Sequence, residues 1–437
     1  AECMNEEPSH YALNPSSELV ERAAKLAKAE SARKGEPEFH MTEDMRRLST
    51  PWSVSQVRAE QIQATDLPAG VILDAAAGSG VQLIALTTGL KRPGLAIELD
   101  PNIGLLCAAN MQITGDEADL QRTMDRVLIG DGTDAENAIV AYWNSLREAG
   151  TRAHPPIGML HLDPARPRDA QRHEIDEMEP AIGPVLRAWS NHLETGPRGP
   201  AILLDLSPRL NEDQRSLVDA VIETTFPGIP RTWEFLSQGG GRIDRLSVWI
   251  GSLSSKERSR CVRMGKKNIM ATIEGEAAEA ELVTLSSPPP YGAYLTIVDS
   301  ALVESGLHRA WLEKALPEDT GHSWLRLDGR RPLLISTDPL IRDDEIDAFV
   351  IASGEIVQHR LTPPELHTIE QTAASSARNG VGKVTLRCSL DPELHPTLQR
   401  RLHKAMREFD GSRGFMVDLD LDRGSGSHTL YVVCKEQ

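Results

Sequence analysis

The sequence predicts an α/β protein: a doubly wound, mostly parallel sheet with a helical N-terminal extension, followed by a separate C-terminal α+β domain. Three observations carry that expectation. From Val71 onward, short apolar runs alternate with helix-compatible segments. The first run, Val71-Ile-Leu-Asp74, passes directly into Ala-Ala-Ala-Gly78-Ser-Gly80 and then into a helix-compatible segment, the order of a buried strand, a glycine turn and a helix start. At Ser252 the composition turns polar and basic, and Ser286-Ser287-Pro288-Pro289-Pro290 interrupts the chain again.

The chain has 437 residues, enough for two or three domains with sizeable cores. Hydrophobic residues make up 40% and charged residues 25%, the balance of a soluble globular protein. No apolar run reaches the ~18 residues that span a membrane. Residues 1–37 are polar and charged, unlike a secretory signal, and Ala1 in first place implies a removed initiator Met or a fragment. The five cysteines, Cys3, Cys107, Cys261, Cys388 and Cys434, are far apart with no Cys-x-x-Cys pair. That spacing argues against a metal site and a disulfide framework, and suits the cytoplasm. A net charge of −17 excludes a surface that coats nucleic acid all over, but not a local basic groove.

Taken in order, residues 17–33 read as an amphipathic helix with Leu19, Ala23, Leu26 and Ala27 on one face, and 53–64 as a second helix ended by Leu67-Pro68-Ala69-Gly70. Strands are predicted at 71–74, 95–98, 127–130, 157–162 and 201–206, with helices near 81–89, 101–113, 133–149, 175–193 and 211–224. Apolar segments 231–237 and 245–250, flanking Gly239-Gly240-Gly241, read as a closing antiparallel pair. Beyond them come a helix at 299–316, a strand at 382–388, a helix at 391–409 and strands at 415–420 and 428–434. The predicted domains are therefore 1–65, 66–252 and 260–437.

The residues with chemical potential fall after successive strands: Asp74 with Gly78 and Gly80, then Glu98, then Asp131-Gly132, then Asp163-Pro164-Ala165-Arg166. Carboxyl ends of parallel strands are where open α/β sheets bind ligands. Glycines let the backbone approach a ligand closely, and a strand-tip carboxylate can accept charge-assisted bonds from two ribose hydroxyls. A dinucleotide fingerprint needs a third glycine where Leu83 stands, and a P-loop needs a Gly-Lys-Ser/Thr that is missing.

In order and spacing, Asp74-x-x-x-Gly78-x-Gly80, Glu98, Asp131 and Asp163-Pro164-Ala165-Arg166 resemble the motifs of class I S-adenosylmethionine-dependent methyltransferases over roughly residues 55–251. The resemblance implies a Rossmann-like seven-stranded sheet and the cofactor S-adenosyl-L-methionine. It places Gly78 and Gly80 under the methionine part, Glu98 at the ribose and Asp131 at the adenine, with Asp74, Ala76 and Gly132 lining the same loops. Trp233-Glu-Phe-Leu-Ser237, Arg245-Leu-Ser-Val-Trp249-Ile-Gly251, Tyr294 to Leu307, and Val384-Thr-Leu-Arg387 with Asp391-Pro392 are similar to a methyltransferase group that carries a C-terminal THUMP-like domain. That group is thought to act on RNA. Asp205-Leu-Ser-Pro208-Arg209 departs from its pattern, which has a basic residue before the turn and glycine after it.

For transfer itself, Asp163 with the Pro164 carbonyl is the expected binder of the target nitrogen or oxygen, and Arg166 a residue that stacks on a base or meets a phosphate. The Asp-Pro-Ala-Arg run also resembles uracil C5 methyltransferases, but no cysteine lies between Cys107 and Cys261 to act as their nucleophile. Simpler readings stand beside these: Glu98 as a surface carboxylate, Asp100 as the cap of the helix beginning at Pro101, Asp131 as a cap of the next helix, and His161 as a buried, satisfied side chain. Lys256, Arg258, Arg260, Arg263, Lys266 and Lys267 form the best candidate RNA contact, or else a solvated linker. The expected function is methylation of RNA, a transfer or ribosomal RNA base. The alternatives are a methyltransferase acting on a protein or small molecule, and a non-catalytic cofactor- or RNA-binding protein. Neither metal nor membrane is expected as a partner.

Overall fold

The computed structural model describes residues 9–117, 122–165, 175–325 and 331–437. The chain divides into two units: Ala1–Glu234 with Arg245–Arg258 and Lys266–Asn268, and Phe235–Asp244 with Ser259–Gly265 and Ile269–Gln437. Among the described residues no helix is long and apolar enough to cross a membrane.

In chain order the first part comprises β1 (Tyr11–Leu13), α1 (Ser17–Leu26), β2 (Ala29–Ser31), β3 (Glu38–His40), α2 (Glu43–Leu48), α3 (Trp52–Gln63), β4 (Val71–Asp74), α4 (Val81–Leu90), β5 (Gly94–Glu98) and α5 (Pro101–Glu117). It continues with β6 (Arg126–Ile129), α6 (Ala135–Glu148), β7 (Ile157–Leu162), α7 (Ile182–Trp189), β8 (Thr195–Gly196), β9 (Gly199–Leu206), α8 (Glu212–Thr225), β10 (Arg231–Ser237) and β11 (Arg245–Gly251). Strands β6, β5, β4, β7 and β9 lie side by side in that order and all parallel. Strand β11 joins β9 antiparallel, and β1 caps the other edge antiparallel to β6, Tyr11 opposite Ile129. Strands β4, β6 and β7 are buried along their whole length, as strands covered on both faces are. Because the central five run parallel, their carboxyl ends, and so Asp74, Glu98, Asp131 and Asp163, share one edge.

Two expected helices of this part are rearranged, and one strand is unexpected. The helix drawn over 17–33 stops at Leu26, because Ala27 is extended. The charged stretch after it has no apolar stripe to continue, and β2 instead pairs with β3 around Gly35, which takes a left-handed φ of +87°. The helix drawn over 175–193 is a 3₁₀ turn at Ile175–Glu177 followed by α7, with Pro180, which has no N–H to donate, between them. Strand β1 is absent from the sequence reading, since three residues are too short for a periodicity.

The second part comprises β12 (Ser259–Met264), β13 (Ile269–Gly275), β14 (Tyr294–Val298), α9 (Ser300–Glu304), α10 (His308–Ala315), β15 (His322–Leu325), β16 (Leu333–Ser336), α11 (Asp344–Asp347) and β17 (Val350–Arg360). It closes with α12 (Ile369–Arg378), β18 (Val381–Leu386), α13 (His395–Ala405), β19 (Ser412–Asp422) and β20 (Ser427–Glu436). Seven strands form a sheet in the order β15-β16-β14-β17-β20-β19-β18. Leu295, Ile356, Phe415 and Val432 share one core, and Ile369, Val384, Leu398 and Leu402 bring α12 and α13 onto β18. The helix drawn over 299–316 is split at Gly306, whose φ of +74° is left-handed and whose missing Cβ would meet Ala277 at 2.7 Å.

Strand β4 is pinned to β7 at its entry by Gly70, which adopts φ +130°; a Cβ there would sit 2.4 Å from the Pro156 carbonyl oxygen. Gly70→Ala is therefore expected to destabilise the first unit by about 2 kcal/mol or more, through both the clash and the disfavoured φ. Urea unfolding followed at several wavelengths checks this, and an unchanged midpoint contradicts it.

Candidate active site

The loop between β4 and α4 is shaped by its glycines. Gly78 and Gly80 take left-handed φ values of +53° and +79°. A Cβ on Gly80 would lie 2.6 Å from the Cys107 sulfur of α5, so the loop packs flush on that helix. Burial, first of all, raises the Cys107 thiol well above its usual range, so it serves as neutral packing. Gly78 is the opposite case: a Cβ there meets nothing within 4 Å, so this side of the loop is an open backbone face. Asn110 of α5 anchors the loop by donating to the Ser79 carbonyl at 3.0 Å.

Asp74, Ala76 and Glu98 fix the loop from beneath. Asp74 accepts from the Ala76 amide at 3.1 Å. Glu98 accepts from the Gly78 amide through Oε2 and from the Asp100 amide through Oε1, both at 3.0 Å. Burial raises the Glu98 carboxyl above the ordinary range, opposed by amide bonds from Asp100, Gly78 and Leu99. Asp100 caps α5, accepting from the Asn102 and Ile103 amides.

Asp131 is exposed, and its Oδ1 accepts from the amide and hydroxyl of Thr133 at 2.8 and 2.7 Å. The residue that caps α6 is Asp134. Gly132 is a close-approach glycine: a Cβ would fall 2.1 Å from the Ala75 carbonyl oxygen. The buried Trp189 indole donates to the Gly132 carbonyl at 2.8 Å, and His10, just before β1, bonds the Asp131 carbonyl at 3.0 Å. Asp163 is half-buried and Pro164 buried, directly after β7; Arg166 lies outside the described residues.

The structure ties these residues together through pairings that the sequence does not show, and it adds Arg58 and Gln82, which sequence reasoning missed. His161 bridges two carboxylates, with Nδ1 2.7 Å from Asp74 Oδ2 and Nε2 3.0 Å from Asp205 Oδ2. Arg58 of α3 clasps Asp205 by Nη1 at 2.8 Å and Nη2 at 2.7 Å, and Nη1 also donates to Gln82 Oε1 at 2.9 Å. Gln82 Nε2 then donates to Asp163 Oδ2 at 2.9 Å. A polar chain thus runs Asp74–His161–Asp205–Arg58–Gln82–Asp163 across three strands and two helices of the unit. His161 is indeed a buried, satisfied side chain, and it is also a member of this chain. Arg58 carried a readable signal: Val54, Arg58 and Ile62 fall at i, i+4 and i+8 on the buried face of α3.

Both His161 nitrogens face carboxylate oxygens, and only the doubly protonated ring can donate to both. Burial works against the charge, but Asp74 and Asp205 overcome it and push the His161 pKa up to about 10. Burial likewise opposes ionisation of Asp205, yet Arg58 and His161 hold its carboxyl well below the usual range. Burial disfavours the Arg58 charge as well, but Asp205 raises its pKa above the usual value.

The basic run divides. Lys256, Arg258, Lys266 and Lys267 are exposed. Arg260 is buried and paired with Glu274 at 3.4 Å, and Arg263 is half-buried, donating to the Met264 carbonyl.

A histidine whose pKa rises from 6.5 to about 10 on folding contributes stability that is fully present below pH 6.5 and is lost as pH climbs through 10. The first unit is expected to lose up to about 1.4 kcal/mol per pH unit across that window. His161→Gln removes this slope and, by taking the cation from between two buried carboxylates, costs about 3–5 kcal/mol at neutral pH. Denaturant unfolding of both proteins from pH 6 to 10 checks this; parallel pH profiles contradict it.

No family model and no curated protein matches the chain. Solved structures do match. One is a putative class I S-adenosylmethionine-dependent methyltransferase from Listeria monocytogenes, 12% identical, over 53% of this chain and 67% of that one, with a TM-score of 0.32. A putative SAM-dependent methyltransferase from Streptococcus mutans is 11% identical over 48% of this chain, spans about half (49%) of its own, and has a TM-score of 0.29. Precorrin-6Y C5,15-methyltransferase from Geobacter metallireducens is 13% identical over 50% of this chain and 94% of its own, with a TM-score of 0.30.

Proposed function

We propose that this protein is an S-adenosyl-L-methionine-dependent methyltransferase whose acceptor is a base in transfer or ribosomal RNA. The observation that carries the reading is the open backbone face at Gly78, with the Glu98 carboxylate bonded to its amide and Asp163 on the same sheet edge. That set fits the cofactor. A side chain at Gly78 would fill the face a methionine moiety needs, and Glu98, whose two oxygens meet three backbone amides, keeps a lone pair for a ribose hydroxyl. Asp131 and Gly132 close the adenine side, where the Ala75 approach leaves no room for a Cβ.

When bound, the cofactor supplies a methyl group on a sulfonium, set up for in-line displacement. The chain's own contribution is alignment. Asp163, together with the Pro164 carbonyl, accepts a hydrogen bond from the N–H or O–H of the acceptor and takes its proton if one leaves. Gln82 cannot turn its amide over without losing Arg58, so Asp163 always meets a donor on Oδ2.

The RNA reading rests on the exposed cations Lys256, Arg258, Lys266 and Lys267, on Arg166, and on the THUMP-like resemblance of residues 260–437. The net charge of −17 and the engagement of Arg260 and Arg263 favour the second reading, a protein or small-molecule acceptor.

Incubation with methyl-labelled cofactor and fractionated cellular RNA and protein decides between them: label in RNA is expected, and label confined to protein or small molecules overturns the RNA acceptor. Asp163→Ala is expected to lower transfer by about 10²–10⁴-fold while cofactor affinity stays at the wild-type value. Retained turnover removes Asp163 from the site. Glu98→Ala is expected to weaken cofactor binding by about 10–100-fold in calorimetry, the loss of charge-assisted bonds to the ribose; wild-type affinity contradicts that role.

A further inference from the structure

The second unit contains a cavity of about 430 Å³ that methyl transfer does not use. Its size falls within the roughly 300–1,000 Å³ of small-molecule sites. One wall is the segment 278–283, tied on one side by the Ala278 amide to the Gly306 carbonyl at 2.9 Å and on the other by the Val283 amide to the Trp324 carbonyl at 2.9 Å. His308, the first residue of α10, and Trp324 of β15 line the interior, with Leu312 beside them. Glu279, Glu281, Arg309 and His322 are exposed at the rim.

The interior pair is unusual. His308 is only 5% exposed and Trp324 4%. Their rings meet edge to face with centroids 5.5 Å apart. Each leaves one buried nitrogen without a hydrogen-bond partner, Nδ1 of His308 and Nε1 of Trp324. The Glu279 backbone also hydrogen-bonds the His308 ring, and with Nδ1 unpartnered we assign the ring proton to Nε2. Burial lowers the His308 pKa, which keeps the imidazole neutral and leaves Nδ1 a lone-pair acceptor. The indole N–H is a donor only. A buried donor and a buried acceptor, each desolvated and unmatched, therefore belong to two residues in ring contact that line one cavity.

We propose that this cavity binds a small neutral molecule presenting an amide-type edge, a C=O for the Trp324 indole beside an N–H for His308 Nδ1. The rim carries carboxylates and a guanidinium together, so it sets up no single-sign field that would select a charged ligand. Only an edge with both functions satisfies both nitrogens at once. A molecule with acceptors alone leaves Nδ1 facing a lone pair, which repels it.

The test uses the full chain labelled with ¹⁵N, following the Trp324 indole resonance, assigned by its loss in Trp324→Phe. The probes are uracil for a lactam edge and nicotinamide for a primary amide, each against its N-methylated counterpart, 1,3-dimethyluracil or N,N-dimethylnicotinamide. A saturable shift of that resonance with uracil or nicotinamide, absent with the methylated partner, is the expected result. In His308→Leu the affinity for the active probe is expected to fall at least about tenfold. No shift with either probe, or equal shifts with the methylated forms, overturns the proposal. The comparison within the unaltered protein decides even if His308→Leu does not fold, and none of these readouts depends on methyl transfer.

Discussion

The polar chain from Asp74 to Asp163 is the constraint on which the rest of the site depends. Four charged groups stand together out of water: the carboxylates of Asp74 and Asp205, the His161 imidazolium and the Arg58 guanidinium, none more than 5% exposed. Isolated, any one of them would carry a prohibitive desolvation cost. As a set they balance in sign, and each member sits within 2.7–3.0 Å of the next. Such a network is all or nothing, because removing one member leaves its neighbour buried and unpaired. It therefore fixes β4, β7 and β9 in mutual register at the edge where the candidate site residues emerge. It also draws α3 against that edge, since no other element supplies Arg58.

The glycine positions convert that fixed edge into a shaped surface. At Gly132 and Gly80 the chain comes so near to Ala75 and Cys107 that no side chain fits, so the loops after β4 and β6 are held by contact as well as by hydrogen bonds. Gly78 is glycine for another reason. Its φ of +53° is left-handed, and the space above it is open. Two glycines two residues apart thus answer different demands, one of packing and one of access. Asp74 joins the two systems: one oxygen orders the loop through the Ala76 amide, and the other accepts a hydrogen bond from His161.

Much of this frame is legible in the residues. Continuous apolar runs such as Val71-Ile-Leu and Gly158-Met-Leu report strands buried on both faces, and both lie where the pattern places them. Capping is legible at Asp100, where proline follows an acid. What the pattern hides is long-range polar pairing. Asp205 and Arg58 are 147 positions apart, and periodicity says nothing about which buried charge meets which. The extent of α1 misleads for a related reason, because the residues after Leu26 are helix-compatible but find their partners in the β3 hairpin strand instead. The basic run misleads in the same way: equal charges in sequence do not share a fate once Arg260 is paired with Glu274 and its neighbours stay in water.

The departure at Asp205 now has a physical account. The resemblance calls for a basic residue at that point of the fifth parallel strand, and this chain has an acid there. The charge of the site is restored from elsewhere, by Arg58 on a helix that precedes the sheet and by His161 on the adjacent strand. Asp205 in turn is the hub that lets one cation serve Asp74 and the other reach Gln82. A basic residue at 205 would face both Arg58 and His161 and disperse them by like-charge repulsion. The three positions are therefore meaningful only together, and exchanging Asp205 alone for the residue the resemblance expects removes the support of Asp163 instead of repairing it.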